Sequence, residues 1–284
     1  MALSFALAQV PVQARAGAPE NCASPPSSDV VVNVKDKGAV GDGRADDTAA
    51  IQAAIDAVAG TRGTVLVPDG VYMVNAVKEN LNLKSDMTLK LARGAVLKAI
   101  PNDETHYAVL TISGASNVWV TGGALEGERN EHRGKSGEWG MGIRIEDGAK
   151  NITVAGLISK KMWGDGFYVQ DAEDVRFCGV TADANRRQGL SIIAADGLLV
   201  LNSTFKNTHG TRPSTGQSPL RGRECAGVAA AICGNRQTSV QAETSGGFNT
   251  YAEPTEIVAL QNDCGESAFV IDRGNTKKKK KKAN

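Results

Sequence analysis

Tyr168 follows Arg144 by 24 residues, and each is followed two positions later by a polar acceptor, Gln170 and Glu146 respectively. On one surface, these side chains could work on a carboxylate-bearing substrate. The guanidinium would neutralise the carboxylate, and the phenol, as acid or base, would handle the proton beside it. Asp165, three residues before Tyr168, adds a carboxylate, and Arg186 and Arg187 could grip a second substrate carboxylate through paired N–H donors. The chemistry requires the chain to bring residues about 23 apart side by side.

A repeat of that period runs from Asn117 to about Gly210. Asn117-Val118-Trp119-Val120, Asn151-Ile152-Thr153-Val154, Asp174-Val175-Arg176-Phe177 and Gly197-Leu198-Leu199-Val200 recur at intervals of 34, 23 and 23 residues. Interleaved with them, Gly142-Ile143-Arg144-Ile145, Gly166-Phe167-Tyr168-Val169 and Gly189-Leu190-Ser191-Ile192 recur at 24 and 23. Two strand signals per period, with Gly or Asn at the corners and no helical period between them, predict the coils of a parallel β-helix. Ile143, Ile145, Phe167, Val169, Leu190 and Ile192 then stack inward, about 4.8 Å per rung. Arg144, Tyr168 and Ser191 form an outward column, with Glu146 and Gln170 beside it. A flat outward sheet of ordered polar side chains suits an extended polymer.

Composition agrees with one large core: 284 residues, 41% hydrophobic, 5% aromatic and 32 glycines. The net charge of +1 includes the run Lys277 to Lys282; without those six lysines it is −5, which argues against a nucleic-acid partner. Residues 1–28 read as a signal peptide or disordered leader, with an apolar stretch from Ala2 to Val12 and the small-x-small run Ala14-Arg15-Ala16. No stretch is long and apolar enough to span a membrane, so a secreted or periplasmic location is expected. Five cysteines lack metal-ligand spacing; Cys178 is expected to pack as a small apolar residue, and Cys225 and Cys233 could pair if the chain is exported.

Residues 29–216 are expected to form the β-helix domain. Its opening reads as a strand (Val31 to Val34), a Gly-rich turn (Gly41-Asp42-Gly43), a helix with Ile51, Ile55 and Val58 on one face and Asp46 and Asp47 at its start, and a strand ending at Pro68-Asp69-Gly70. From Gly127 to Gly140 a charged excursion accounts for the interval of 34 and is expected to wall a groove. Residues 217–284 lose the period, with weak strand signals at Ile257 to Leu260 and Ala268 to Ile271. They read either as a cap with an oligo-lysine tail or as a truncated or frame-shifted end.

The run from Val34 through Asp36-Lys37-Gly38-Ala39, Gly41-Asp42-Gly43, Asp46-Asp47-Thr48 and Ile51-Gln52, followed by Gly63-Thr64-Val65 and Pro68-Asp69-Gly70-Val71-Tyr72, resembles the entry motif of the pectate lyase superfamily. The resemblance covers about 45 residues strongly and implies an all-β, right-handed parallel β-helix (solenoid) with an N-terminal capping α-helix. It also implies a carbohydrate-active role on an acidic polysaccharide. Two templates from the superfamily fall on Trp163 to Asp171. The Asn-Thr-Asp-Gly of polygalacturonases maps a catalytic carboxylate to Asp165, but its partner would fall at Arg187-Gln188, where there is no Asp, and hydrolysis needs two carboxylates. The Gly-Phe-Asp-Pro-His-Glu of alginate epimerases falls on Gly166 to Asp171, where Tyr168, Val169 and Gln170 replace Asp, Pro and His.

The reading therefore favours lyase-type β-elimination. Asp165, Tyr168 and Arg144 are the catalytic candidates; Gln170, Arg186, Arg187 and Glu146 are the substrate-binding ones. The alternatives are a non-catalytic polysaccharide-binding solenoid or a hydrolase of polygalacturonase type. His209 reads as a turn residue. No fixed metal site is expected, although scattered carboxylates at Asp165, Asp171, Glu146 and Asp147 leave Ca2+ open.

Overall fold

The computed structural model describes residue 22, residues 24–137 and 139–207, and the backbone of four short strands between 220 and 250. The expectations for residues 1–21 of the leader, His209, the Cys225–Cys233 pair, the strands near 257 and 268 and the oligo-lysine run lie outside the described residues, whereas residues 22 and 24–28 of that leader are described.

Three parallel sheets wrap one core. Sheet A begins with Val31–Asn33, Gly63–Val67, Met87–Leu91, Ser116–Thr121, Ala149–Ala155 and Ala172–Cys178; sheet B includes Ala95–Ala99, Ala124–Glu126, Ile158–Lys160 and Thr181–Asp183. Sheet C is built from Leu81–Asn82, His106–Ser113, Trp139–Glu146, Asp165–Val169 and Gln188–Ile192. Each strand pairs with its counterpart one coil away, which makes the fold a parallel β-helix. Strands at Leu220–Gly222, Ala230–Cys233, Arg236–Thr238 and Phe248–Thr250 continue the three sheets. They pair residues 28 to 32 apart, such as Leu220 with Phe248 and Leu198 with Ala230, so the 23-residue period no longer marks them.

The residue types at the corners follow from backbone shape. Asn117, Asn151, Asp174 and Gly197 sit at the second or third position of successive sheet A strands at φ of 59°, 55°, 52° and 74°. This left-handed conformation is tolerated by Gly, Asn and Asp and costs other residues about 1 kcal/mol or more. The amides also ladder: Asn151 donates to Asn117 at 2.7 Å and Asn117 to Asp86 at 2.9 Å. Gly142 and Gly166 answer to crowding. A Cβ on Gly142 would lie 2.3 Å from Ser159 Oγ, and one on Gly166 would lie 2.6 Å from the Asn185 amide. Inside, Ile143, Phe167 and Leu190 stack in register and are fully buried, and the Phe167 ring packs on Phe177 at 5.2 Å between centroids.

Helix α1 (Thr48–Val58) lies against the first strands, burying Ile51, Ile55 and Val58 in the same core. Its start differs from the expectation. Asp47 makes no cap bond; its carboxylate instead takes the N–H groups of Val40 (2.6 Å) and Gly41 (3.1 Å) and pins the Gly-rich turn. Asp46 does the capping, accepting from the N–H of Thr48 at 3.0 Å.

Cys178 is not a plain apolar residue: it is disulfide-bonded to Cys22, with 5.9 Å between their Cα atoms. The bond ties the segment before the first strand to the sixth strand of sheet A. No helix among the described residues is long and apolar enough to cross a membrane.

Candidate functional site

The register of sheet C places Thr111, Arg144, Tyr168 and Ser191 side by side on its outward face. Tyr168 lies flat there, only 3% exposed, in a small apolar cluster with Ala108 and Met141 that is separate from the solenoid core. Its hydroxyl donates to Gln170 Oε1 at 2.5 Å. Burial raises the Tyr168 pKa, the positive Arg187 and Arg144 pull it back, and Asp165 and Glu146 push it up further, so the phenol keeps its proton at neutral pH. Arg144 Nε lies 2.9 Å from Glu146 Oε1, and burial raises the Glu146 pKa against the opposing pull of Arg144.

Asp165 starts the Tyr168 strand and is completely buried. Its Oδ1 accepts from Arg187 Nε at 2.7 Å, and its Oδ2 accepts from Arg187 Nη2 and from Ser191 Oγ, the latter at 2.7 Å. The carboxylate thus anchors Arg187 from the next coil. The Arg187 guanidinium lies 4.9 Å from the centroid of Trp139, whose ring also stacks with His106 at 5.5 Å and tilts toward Tyr168 at 6.0 Å. Trp139 is 37% exposed, an indole offered to solvent beside the column. Arg144, Glu146, Asp165, Tyr168, Gln170 and Arg187 therefore share one surface.

Arg186, expected to grip a substrate carboxylate, is engaged within the protein. Its guanidinium lies 3.8 Å from the Trp163 ring centroid and donates to the carbonyls of Gly137 (2.8 Å) and Trp163 (3.3 Å), which fastens the end of the excursion. The excursion is docked along its length. Arg129 donates to the Ala184 carbonyl at 2.6 Å, Glu131 pairs with Lys98 at 2.8 Å, and the His132 ring stacks on Trp163 at 3.8 Å. It flanks sheet C where the strands begin. Of the four carboxylates left open for Ca2+, Asp165 is engaged by Arg187 and Ser191, Asp147 accepts from Ser113 at 2.6 Å, and Glu146 faces Arg144. Among the described residues no three His, Cys, Asp or Glu side chains gather to hold a metal.

The Glu128–His132 pair carried no signal in the sequence. Both side chains are fully buried, with Glu128 Oε2 3.0 Å from His132 Nδ1. Burial, then repulsion from Glu131, pushes the Glu128 pKa up to about 7, against a hydrogen bond from Asn102. Burial, then Arg186, lowers the His132 pKa, with Asp103 opposing. Both shifts favour the neutral forms, and in its protonated form Glu128 can donate to Nδ1. A carboxyl that binds its proton more tightly folded than unfolded stabilises at low pH and loses that contribution as pH rises through its folded pKa. Raising the pH from 4.5 to above 7 is expected to remove roughly 3 kcal/mol of stability, and Glu128→Gln to flatten that limb. His132 acts in the opposite sense and adds a separate loss below its unfolded pKa of about 6.5. Denaturant midpoints of both proteins measured across pH 4 to 8 check this; parallel curves contradict it.

A stack of parallel coils with an N-terminal helix against its first rungs, bearing charged and aromatic groups in register on one outward sheet, is a pectate-lyase-like β-helix. The family model described as "Rhamnogalacturonase A/epimerase, pectate lyase-like" matches residues 31–217, and the chain belongs to that family. It is 38% identical over 148 residues to mannuronan C5-epimerase AlgE5 of Azotobacter vinelandii, covering 48% of this chain and 15% of that enzyme. Among solved structures it resembles a family 28 exopolygalacturonase of Yersinia enterocolitica, with TM-score 0.57, 17% identity and coverage of 82% of this chain and 58% of that one. It also resembles PfbA, a surface adhesin of Streptococcus pneumoniae, with TM-score 0.56, 20% identity and coverage of 81% and 67%.

Proposed function

We propose that the outward face of sheet C binds an acidic polysaccharide and cleaves it by β-elimination, in an exported protein. The observation that carries this is the in-register column of Arg144, Tyr168 and Ser191, flanked by Arg187 on Trp139. Coils spaced about 4.8 Å apart present a row of donors to a linear chain, and Trp139 offers a face for a sugar ring. The name of the epimerase relative, which acts on mannuronan, supports a uronate polymer as the ligand class. The Cys22–Cys178 bond supports an oxidising compartment.

In this reading the substrate carboxylate takes the Arg144 guanidinium from Glu146, which acidifies the neighbouring C–H. Glu146, its pKa raised by burial, accepts that proton. The electron pair forms the ring double bond as the glycosidic C–O bond breaks. The Tyr168 phenol protonates the leaving oxygen, with Gln170 aligning the hydroxyl. Asp165 positions Arg187 rather than touching substrate. Tyr168→Phe is expected to lower turnover by about 10²- to 10⁴-fold with binding retained, whereas Arg144→Ala weakens binding as well; unchanged turnover in Tyr168→Phe removes the assignment.

A second reading, a binding-only solenoid, is favoured by one observation: Asp165 is wholly engaged by Arg187 and Ser191, leaving no free carboxylate pair on the motif. The fold shared with a surface adhesin is compatible with it. Saturable binding of uronate polymers without product supports that reading.

A further inference from the structure

The N-terminal segment is a strap across sheet A. At one end the Val30 carbonyl accepts from the N–H of Thr64 at 2.8 Å, and at the other Cys22 is bonded to Cys178 on the sixth strand. Five strand spacings separate first from sixth, about 24 Å. The eight residue steps from Cys22 to Val30 reach at most about 26–29 Å. The strap therefore crosses the outward column formed by Thr64, Thr88, Trp119, Thr153 and Arg176, with Ser24 and Pro26 lying beside Thr88 and Trp119.

Between strap and sheet lies a cavity of about 390 Å³, bounded by Pro26 of the strap and by Arg62, Thr88, Asn117, Trp119 and Asn151. Its size falls within the ~300–1,000 Å³ of ordinary ligand sites. Trp119 supplies an indole at its wall, half-buried. The Asn117 and Asn151 side chains are immobilised by the ladder, so their amides are presented in fixed directions. Thr88 Oγ1 is buried with no hydrogen-bond partner, an orphan that a ligand hydroxyl would satisfy. Arg62 adds an exposed cation at the rim, and the Asp86 carboxylate that also lines the cavity is engaged by the Asn117 amide.

We propose that this cavity is a second glycan-binding site, taking a hexuronate unit with its ring face on Trp119, its hydroxyls on Thr88 and the Asn ladder, and its carboxylate on Arg62. An aromatic face with short, fixed amides matches the apolar ring face and polar rim of a pyranose. The site lies on sheet A, so it neither uses nor depends on the sheet C residues. Anchored there, a polymer would be held on two faces of the same coils.

The test uses the full chain with trigalacturonate, trimannuronate and the neutral maltotriose, read by saturation-transfer NMR titration. It uses an Arg144→Ala background, in which the sheet C site is weakened. A uronate trisaccharide is expected to bind this background still, and adding Trp119→Ala is expected to weaken it at least tenfold. Adding Arg62→Ala should weaken the uronates and leave maltotriose unchanged. Trp119→Phe, which keeps an aromatic ring and the sheet packing, should bind between the two and shows that the loss is not unfolding. If the Trp119 and Arg62 variants titrate like their parent, or no uronate binds the Arg144→Ala background, the second site is overturned. Loss of binding in Arg144→Ala alone would leave the sheet C reading standing and remove this one.

Discussion

Replacing Cys22 with Ser is expected to lower the unfolding free energy by about 2–5 kcal/mol. The bond joins residues 156 apart in sequence, and in the chain-entropy expression a loop of that length confers about 5 kcal/mol by restricting the unfolded chain. The full value applies only if the strap stays docked without its bond. If the strap detaches, the folded state regains the entropy of its nine residues and the difference shrinks toward the lower end. Cys178→Ser and reduction with dithiothreitol should give the same shift in denaturant midpoint. Equal midpoints for the oxidised and reduced protein, with the free thiols counted, contradict the tether.

Asp165→Ala is expected to cost about 3–5 kcal/mol, because it leaves Arg187 without its carboxylate in a buried setting. At ~2–4 °C per kcal/mol for a domain of this size, that is a fall of about 6–20 °C in Tm. The loss comes from the stranded charge and not from missing volume, so Asp165→Leu combined with Arg187→Met should recover most of it. Polysaccharide binding should weaken in the single variant, because Arg187 is held beside Trp139 through Asp165. A loss below about 1 kcal/mol would mean that the pair is solvated and that Asp165 does not set Arg187.

The periodic part of the fold was legible because each coil repeats the same physical demands. Asn117, Asn151, Asp174 and Gly197 announce a left-handed corner. Gly142 and Gly166, read as corner residues, lie inside their strands where a Cβ would not fit, and Phe167 and Leu190 announce a filled interior. The outward column followed from strict alternation, so Arg144, Tyr168 and Ser191 were placed together by spacing alone. Legibility ended where partners are set by irregular chain paths. Trp163 meets His132 through the docking of the excursion, and Cys22 meets Cys178 because the segment before the first strand crosses sheet A to the sixth; neither leaves a period. Arg186 and Arg187 are sequence neighbours with the same chemistry, yet one fastens backbone carbonyls and the other is held by Asp165. Tyr168 could be read as acid or base from type alone; its burial keeps the phenol protonated, which is the form the proposed mechanism uses.

The most direct test of the central claim is to incubate the purified full chain with polygalacturonate, polymannuronate and polyguluronate while following ultraviolet absorbance for unsaturated sugar ends, with Tyr168→Phe in parallel. Absorbance is expected to grow with at least one polymer and to rise at least about 10²-fold more slowly in the variant. Saturable binding without unsaturated ends would contradict β-elimination and leave a binding solenoid, and neither binding nor product would contradict a polysaccharide role for sheet C.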